Sequence, residues 1–558
     1  MKLKTLSLYL LGLSFSLSSC NDYLDMTPTD SVSDKMLWSS TQNAEYAVNY
    51  LYKSFYDLSN FTLGQCAAGM TEGLTDMLKY GSSNYNALQY IPSEIAYGGT
   101  TLTVNYVTVY MGTWETMYTY IRRTNENLYN LHHYGTLSKS DATRLEAEMR
   151  FVRAFLYFDL IKRYKEVIIY DEDLPKITKD KAVSTEKDAW DFVAADLKYA
   201  AENLPVKASA HGRLDKGAAY AFLTRAMLYA ERWADVKSAA EEVAKLGYTL
   251  ESNYADSYSK TITDGNKEAI LQYCFDQSKF SVGHDFDSYY APGGDKALDG
   301  NTVVGGFGTP TQEMVESYEL SSGGFPDWTT WHTTDGTTEE PPYSSLEPRF
   351  QATILYNGSS WKGRKIEPFV KGTDGWATWL VEPKPEGRTT TGYYLRKMVD
   401  EGHSFKTTQV STQPWTVIRY AEVLLNYAEA CYHLSDATNA NAAIKQIRSR
   451  VGLPYKDKDG TDLWAAIKQE RKVELAYEGQ WYWDLRRWKL SAQTYANGGL
   501  NNYRVHGLKI EKSGNNFVYT YVECDTQNRN FPEKMYIFPI PQSELSNNAL
   551  VDQNAEWK

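Results

Sequence analysis

Residues 415–434 read WTVIRYAEVLLNYAEACYHL and carry the clearest helical pattern of the chain. Apolar residues recur there every three or four positions, which predicts a helix with a wide buried face. Two further helical patterns follow at 437–451 and 462–479. The short connections between these segments predict antiparallel helix pairs. Cys431 lies within the apolar face, so it is expected to be a buried, unbonded thiol.

The first half of the chain repeats this organisation. Helical patterns cover 40–58, 107–131, 140–164, 186–203, 213–230 and 233–246. The last two are rich in alanine, which lets helices approach closely. The spacing of Ala226, Tyr229 and Trp233 across their turn resembles a tetratricopeptide repeat unit.

The segment from about 250 to 410 has a different composition. It is rich in Gly, Thr, Ser, Pro and aromatic residues and has few helical patterns. A stretch of this length is expected to hold loops and short strands that form a lobe of their own. The predicted organisation is therefore a helical scaffold at about 40–250 and 415–490, with a loop-rich lobe at about 251–410 and 490–558. Loops on a rigid scaffold often form a binding surface.

The N-terminus predicts export. Residues 1–19 combine two lysines, an apolar run of about a dozen residues and small residues before Cys20, which is the order of a signal peptide with a lipobox. Cys20 is thus the predicted lipidation site. Since no later segment has 18 consecutive apolar residues, the lipid is the only expected membrane attachment.

Composition narrows the class of ligand. The chain has 70 acidic and 58 basic residues and a net charge of −12, which argues against nucleic-acid binding. It has 44 Tyr and 15 Trp but only 19 Phe. Because Tyr and Trp are favoured where a ring faces both an apolar surface and a polar ligand, this bias predicts an aromatic binding surface.

The remaining cysteines do not indicate a disulfide pairing. Cys66, Cys274, Cys431 and Cys524 are far apart and form no CxxC motif. The sequence also lacks the common hydrolase, phosphate-binding and zinc-binding motifs, so no catalytic residue, metal or cofactor is expected. A carboxylate pair of the glycosidase type cannot be recognised from sequence.

Six segments in order resemble the SusD/RagB family of nutrient-binding outer-membrane lipoproteins. They are CNDYLD (20–25), EMRFVRA (148–154), RYAEVLLNYAEA (419–430), IRSRVGLP (447–454), DLRRW (484–488) and PIP (539–541). The resemblance covers nearly the whole chain as a single domain, 20–558. It implies a mainly α fold, in which four tetratricopeptide-like helix pairs pack against a loop-rich lobe with a few short strands.

The resemblance also implies a function. It implies non-catalytic glycan binding at the cell surface, at the outer membrane, and delivery to a SusC-like TonB-dependent transporter. Two alternatives stay open: capture of a peptide or another non-glycan nutrient, and docking to the transporter without a glycan site. The acidic and basic residues at 470–487 fit helix-surface ion pairs and are expected to be structural.

Loop aromatics with nearby polar side chains are the predicted glycan contacts, because sugar C–H faces stack on flat rings while hydroxyls need fixed partners. The sequence offers four such segments. The candidates are Asp76, Tyr80 and Tyr85; Tyr289 and Tyr290; Asp327, Trp328 and Trp331; and Trp376 with Trp379.

Overall fold

The computed structural model describes residues 34–57, 71–80, 93–99, 102–176, 178–208, 210, 212–275, 283–296, 304–376, 389–405 and 410–558. The predictions for the signal peptide, Cys20, Cys66, Tyr85 and Trp379 lie outside these residues. The described chain is mainly helical, as predicted, with strands confined to small pairs.

Eight helices form the scaffold. They are α1 (Thr41–Asp57), α2 (Trp114–Tyr134), α3 (Lys139–Tyr164), α4 (Glu186–Asn203), α5 (Lys216–Tyr229), α6 (Trp233–Ala244), α7 (Tyr420–His433) and α8 (Ala437–Arg450). From α2 onward each helix packs on the next, and α1 packs on α2 and α3. The helices α6 and α7, which lie on either side of the 250–410 segment in the sequence, are in direct contact.

Two more helices, α9 (Gly460–Glu474) and α10 (Trp481–Arg487), follow α8. Short helices lie at Asp34–Leu37, Ser93–Tyr97, Val104–Met111, Asp256–Ser259, Phe286–Tyr290, Gln312–Val315, Pro348–Thr353 and Gln542–Asn547. The single helix predicted at 107–131 is wrong, because Gly112 adopts an extended backbone and separates Val104–Met111 from α2. Among the described residues, none of the helices is long and apolar enough to cross a membrane.

Local sequence sets where the long helices begin. Ser138, Thr185 and Asp215 each accept a hydrogen bond from a backbone N–H in the first turn of α3, α4 and α5. These side chains satisfy a donor that the helix itself leaves unpaired. The start of α5 is also closely packed, since a Cβ at Gly217 would lie 2.1 Å from the hydroxyl of Tyr248.

The lobe contains most of the strands. They are β1 (Leu78–Tyr80), β2 (Ala269–Tyr273), β3 (Gly308–Pro310), β4 (Ile354–Leu355), β5 (Ser360–Trp361), β6 (Arg364–Lys365), β7 (Tyr394–Leu395), β8 (Trp415–Arg419), β9 (His506–Ser513) and β10 (Asn516–Glu523). They form five antiparallel pairs in the described chain: β1–β3, β2–β8, β4–β7, β5–β6 and β9–β10. The β2–β8 pair brings the start and the end of the 250–410 segment side by side, immediately before α7.

Three hydrophobic clusters of buried side chains stabilise the described chain. One runs through α1–α6 and the C-terminal segment, a second fills the lobe, and a third lies among α7, α8 and α9. Cys431 is buried in the third cluster and is a free thiol, as predicted; Cys274 and Cys524 are also free.

The surface position predicted for the charged residues of 470–478 is wrong, because the fold buries them. Glu474 on α9 is fully buried and accepts hydrogen bonds from Arg419 Nη1 at 2.6 Å, from Arg349 Nη1 at 3.1 Å and from Arg450. Glu478 accepts hydrogen bonds from Arg419 and from Lys397 Nζ. Since Arg349 and Lys397 belong to the lobe, these ion pairs join the lobe to the scaffold.

Candidate functional site

The first predicted segment is buried as far as the structure describes it. Asp76 accepts hydrogen bonds from Lys472 Nζ at 2.7 Å and from Trp481 Nε1 at 3.1 Å. Tyr80 ends β1 and only 4% of it is exposed. The expectation of accessible side chains is therefore wrong for these two residues, because pairing with β3 and packing on α9 and α10 cover them.

The second segment is divided between a buried ring and a partly exposed one. Tyr290 is 1% exposed, and its ring centroid lies 4.5 Å from that of Phe286, so the expected exposure is wrong for this residue. Tyr289 is half-buried and its ring meets Phe307 edge-on, at 5.0 Å and 90°. The N–H of Phe307 donates to the Tyr289 carbonyl at 2.9 Å, which fixes the pair.

The third segment turns its tryptophans inward. Trp328 and Trp331 are buried against each other at 5.5 Å, and Trp331 Nε1 donates to the Glu339 carbonyl at 2.9 Å. Their predicted exposure is wrong because both rings belong to the hydrophobic cluster of the lobe. Asp327 is exposed, and its carboxylate accepts a hydrogen bond from the Thr329 N–H at 3.0 Å.

The fourth segment is anchored by a buried ion pair. Arg364 Nη1 donates to Asp374 at 2.6 Å, and its Nη2 donates to Asp295 at 2.9 Å. Asp295 follows Tyr289 in the second segment, so this arginine ties the second and fourth segments together. Trp376 comes two residues after Asp374 and is half-buried, and its Nε1 has no hydrogen-bond partner among the described residues.

Strand β3 is where the first two segments meet. Pairing places Tyr80 opposite Gly308, and a Cβ at Gly308 would lie 2.9 Å from a carbon of the Tyr290 ring. The helix Gln312–Val315 begins two residues after β3. Glu316, just beyond that helix, contacts the ring of His332 next to the third segment. The four predicted segments therefore belong to one lobe.

A row of three rings that the sequence does not reveal lies on the same lobe. The ring of Tyr521 is stacked on His506, with centroids 4.4 Å apart, and contacts His332 on its other side at 4.6 Å. Tyr521 is half-buried on β10, and the side chain of His332 is 37% exposed. We name His332, Tyr521 and His506 the ring row. Tyr521 and His506 come from the paired strands β10 and β9, whereas His332 comes from a distant part of the chain, so no local pattern predicts all three together.

Two carboxylates border the ring row. Glu316 Oε1 lies 2.6 Å from His332 Nε2, and Glu313 Oε1 lies 2.6 Å from His506 Nδ1. Burial lowers the pKa of His506, but the hydrogen bond and the charge of Glu313 outweigh it and raise that pKa above its ordinary value. Burial raises the pKa of Glu313. Flat rings beside fixed carboxylates provide stacking surfaces and hydrogen-bond acceptors for hydroxyl groups.

Within the described ranges, no group of three or more His, Cys, Asp or Glu side chains has the arrangement of a metal site. Charged groups of the lobe such as Arg364, Asp295 and Asp374 are instead paired with one another. The arrangement is that of a binding surface built from rings and their hydrogen-bonding neighbours.

Comparison with known proteins gives a consistent result over the whole length. A model of the SusD family matches residues 267–557, and a model described as starch-binding and associating with the outer membrane matches residues 22–228. A SusD-like protein of Bacteroides ovatus is 22% identical over 591 residues, which cover 99% of this chain and 98% of that protein.

Solved structures agree in fold. A SusD-like protein from Bacteroides fragilis superposes with a TM-score of 0.78 and 26% identity, over 95% of this chain and 99% of that one. A SusD-like carbohydrate-binding protein from the same species gives a TM-score of 0.72 and 24% identity, over 92% and 100% of the two chains.

Proposed function

The chain belongs to the SusD family, and on that premise we propose that it captures a glycan on its loop-rich lobe and passes it to a SusC-like TonB-dependent transporter. In this proposal the protein is held at the outer membrane by a lipid on Cys20, faces the cell exterior and does not cleave its ligand. Two comparisons support this function. The second Bacteroides fragilis relative is described as carbohydrate-binding, and the family model that matches residues 22–228 is described as associating with the outer membrane.

The ring row with its two carboxylates is the observation that carries the proposal. Three neighbouring rings offer a partly exposed aromatic surface, and Glu316, whose side chain is 24% exposed, can accept a hydrogen bond from a hydroxyl at its edge. Each stacked ring contributes about 1 kcal/mol beyond the area it buries. Two or three such contacts, together with the apolar area that they bury, correspond to a Kd on the order of micromolar to millimolar. Such weak binding suits a protein that must release its ligand to a transporter.

Partly exposed rings elsewhere on the lobe extend the proposed surface. Tyr289 and Trp376 keep accessible edges and lie on the two segments that Arg364 ties together. Asp327 is exposed beside the third segment. Tyr85 and Trp379 lie outside the described residues and remain proposed contacts on the sequence argument alone.

Affinity gel electrophoresis of residues 21–558 against neutral and acidic polysaccharides tests the proposal. We expect one polysaccharide to retard the protein, Tyr521→Ala to abolish the retardation and Tyr46→Ala to leave it unchanged. Tyr46 is the matched control because it is 62% exposed and lies on the scaffold helix α1. Far-UV circular dichroism of each variant verifies its fold, and an assay for new reducing ends tests the absence of cleavage.

The other outcomes are equally informative. Retardation that survives Tyr521→Ala moves the site away from the ring row, and Tyr289→Ala and Trp376→Ala then locate it. A protein that no polysaccharide retards, but that co-purifies with an outer-membrane transporter, contradicts glycan capture. That result favours a peptide or other nutrient as the ligand, or a docking role without a glycan site.

A further inference from the structure

An excess of positive charge surrounds one tryptophan of the scaffold. Lys162 Nζ, Arg163 Cζ and Arg486 Cζ lie 4.6, 4.7 and 4.7 Å from the centre of the Trp483 ring. Asp159 pairs with Lys162 at 2.7 Å and with Arg163 at 2.5 Å. Asp159 is thus shared by two of these three cations.

Arg486 is the least compensated of the three. It is 5% exposed, and its Nη2 donates to the Tyr536 carbonyl at 3.0 Å. Its Nε and Nη1 have no hydrogen-bond partner in the part of the chain that the structure describes. Burial lowers the pKa of Arg486 to about 10. A buried guanidinium with two unpaired donors and no counter-ion in the described chain is unfavourable, so an additional acceptor would stabilise it.

Arg486 lines the wall of a cleft of about 490 Å³. The cleft lies among the end of α3, the start of α4, the turn between α5 and α6, and the end of α10. Seven Lys and Arg side chains line it together with two carboxylates, on a chain whose net charge is −12. Carboxylates outside the lining pair with four of these cations, namely Lys162, Lys187, Arg232 and Arg487. The uncompensated positive charge therefore rests on Arg486 and Lys489. Such a concentration of like charge in a concave site attracts anions.

The ends of three helices direct side chains to this cleft. Lys165, Glu231 and Lys489 follow the ends of α3, α5 and α10, and each has a positive φ, of 61°, 56° and 59°. That backbone region favours glycine, yet three residues with long charged side chains occupy it where they line the cleft. Trp190, Tyr229 and Tyr536 add apolar ring surface to its walls.

We propose that the cleft binds an oxyanion, namely a phosphate, sulfate or carboxylate group, which supplies the acceptor that Arg486 lacks and neutralises Lys489. Its ring-bearing walls fit a small carrier such as one sugar unit with an acidic substituent. The site lies on the scaffold, away from the ring row, and does not depend on glycan capture by the lobe.

Isothermal titration calorimetry on residues 21–558 tests this site, with sodium sulfate, sodium phosphate and sodium glucuronate as probes at constant ionic strength. We expect saturable binding of at least one probe, and a Kd at least tenfold higher in Arg486→Met and in Lys489→Gln. Arg122→Gln, an exposed cation on α2 with an 80% exposed side chain, is the control and should bind like the parent protein. Lys489 is exposed and forms no ion pair with a described residue, so its replacement should not affect folding.

Thermal unfolding separates specific binding from the general effect of salts. Sulfate stabilises most proteins through its exclusion from their surface, a contribution that does not saturate and that every variant shares. Binding of the inorganic ions indicates a free oxyanion, and binding of glucuronate alone indicates an acidic sugar. The proposal is refuted if Arg486→Met and Lys489→Gln bind the probes like the parent protein, if no probe binds saturably, or if neutral glucose binds as tightly as glucuronate.

Discussion

Replacement of Glu474 by Gln should destabilise the junction between lobe and scaffold. Glu474 is fully buried and contacts the guanidinium groups of Arg349, Arg419 and Arg450. Glutamine keeps the shape but removes the charge, which leaves three buried cations with one carboxylate fewer. Removing one partner of a buried ion pair costs roughly 3–5 kcal/mol. The lower end applies here, because Arg419 keeps Glu268 and Glu478.

The expected change in melting temperature follows from the size of the chain. An unfolding entropy of about 2.1 cal/mol/K per residue gives roughly 1.2 kcal/mol/K for 558 residues that unfold together. A loss of about 3 kcal/mol then lowers Tm by about 2–3 °C. Glu126→Gln is the control, since Glu126 pairs with Arg122 at the surface of α2, where ion pairs contribute roughly 0.2–1 kcal/mol.

Acid adds an independent test of the same carboxylate. Burial alone raises the pKa of Glu474, but the three guanidinium groups outweigh it and hold that pKa well below its usual range. A carboxyl with a lowered pKa stabilises the fold above its unfolded pKa, about 4.3, and loses that contribution as the pH falls. Urea unfolding at pH 7 and at pH 3 should therefore show a smaller difference between parent and Glu474→Gln at the lower pH. Equal stability of Glu474→Gln and Glu126→Gln at pH 7 would refute the reasoning.

Three further predictions follow from close packing and from buried groups. Gly507→Ala should lower the free energy of unfolding by about 1–3 kcal/mol in urea titration, because its Cβ would lie 2.5 Å from backbone atoms of Thr391; an unchanged midpoint would contradict this packing. The pKa of His506, measured by NMR, should lie above its ordinary value, and Glu313→Gln should lower it. Because the pKa is raised in the folded protein, any stability that protonated His506 provides is present at low pH and is lost as the pH rises through that pKa. The thiol of Cys524, whose pKa burial raises well above its ordinary value, should react with a thiol reagent at pH 8 only after unfolding, and rapid labelling of the native protein would show that it is accessible.

The sequence predicted the scaffold better than the surface. Helices such as α3 and α7 have side-chain caps or long apolar periodicity, which act within a few residues and are visible in the chain. The change of composition at about 250, from which the lobe was predicted, is likewise visible within the chain. The split at Gly112 was missed because a single residue in an extended conformation interrupts the helical pattern only locally.

Side-chain exposure in the lobe could not be predicted in this way. Trp328 and Trp331 read as exposed loop aromatics, yet long-range packing buries them. Tyr521, one of the rings left accessible, meets His506 across the β9–β10 pair but reaches His332 only through tertiary structure. The orphaned donors of Arg486 are likewise invisible in DLRRW, where the neighbouring Arg487 pairs with Glu429 and Asp484.

The β2–β8 pair makes the chain enter and leave the 274–414 part of the lobe at adjacent points. An inserted unit whose two ends lie together can be exchanged without stretching its host, as in domain-insertion proteins. Chimeras that combine the scaffold of this protein with the 274–414 segment of a relative can therefore be joined immediately after β2 and immediately before β8. Suitable junctions alone do not suffice, because Arg349 and Lys397 of the exchanged segment form ion pairs with carboxylates of the scaffold. Ligand preference in such hybrids should therefore transfer only when the exchanged segment also carries basic residues that pair with Glu474 and Glu478. This requirement limits which relatives can recombine at this junction.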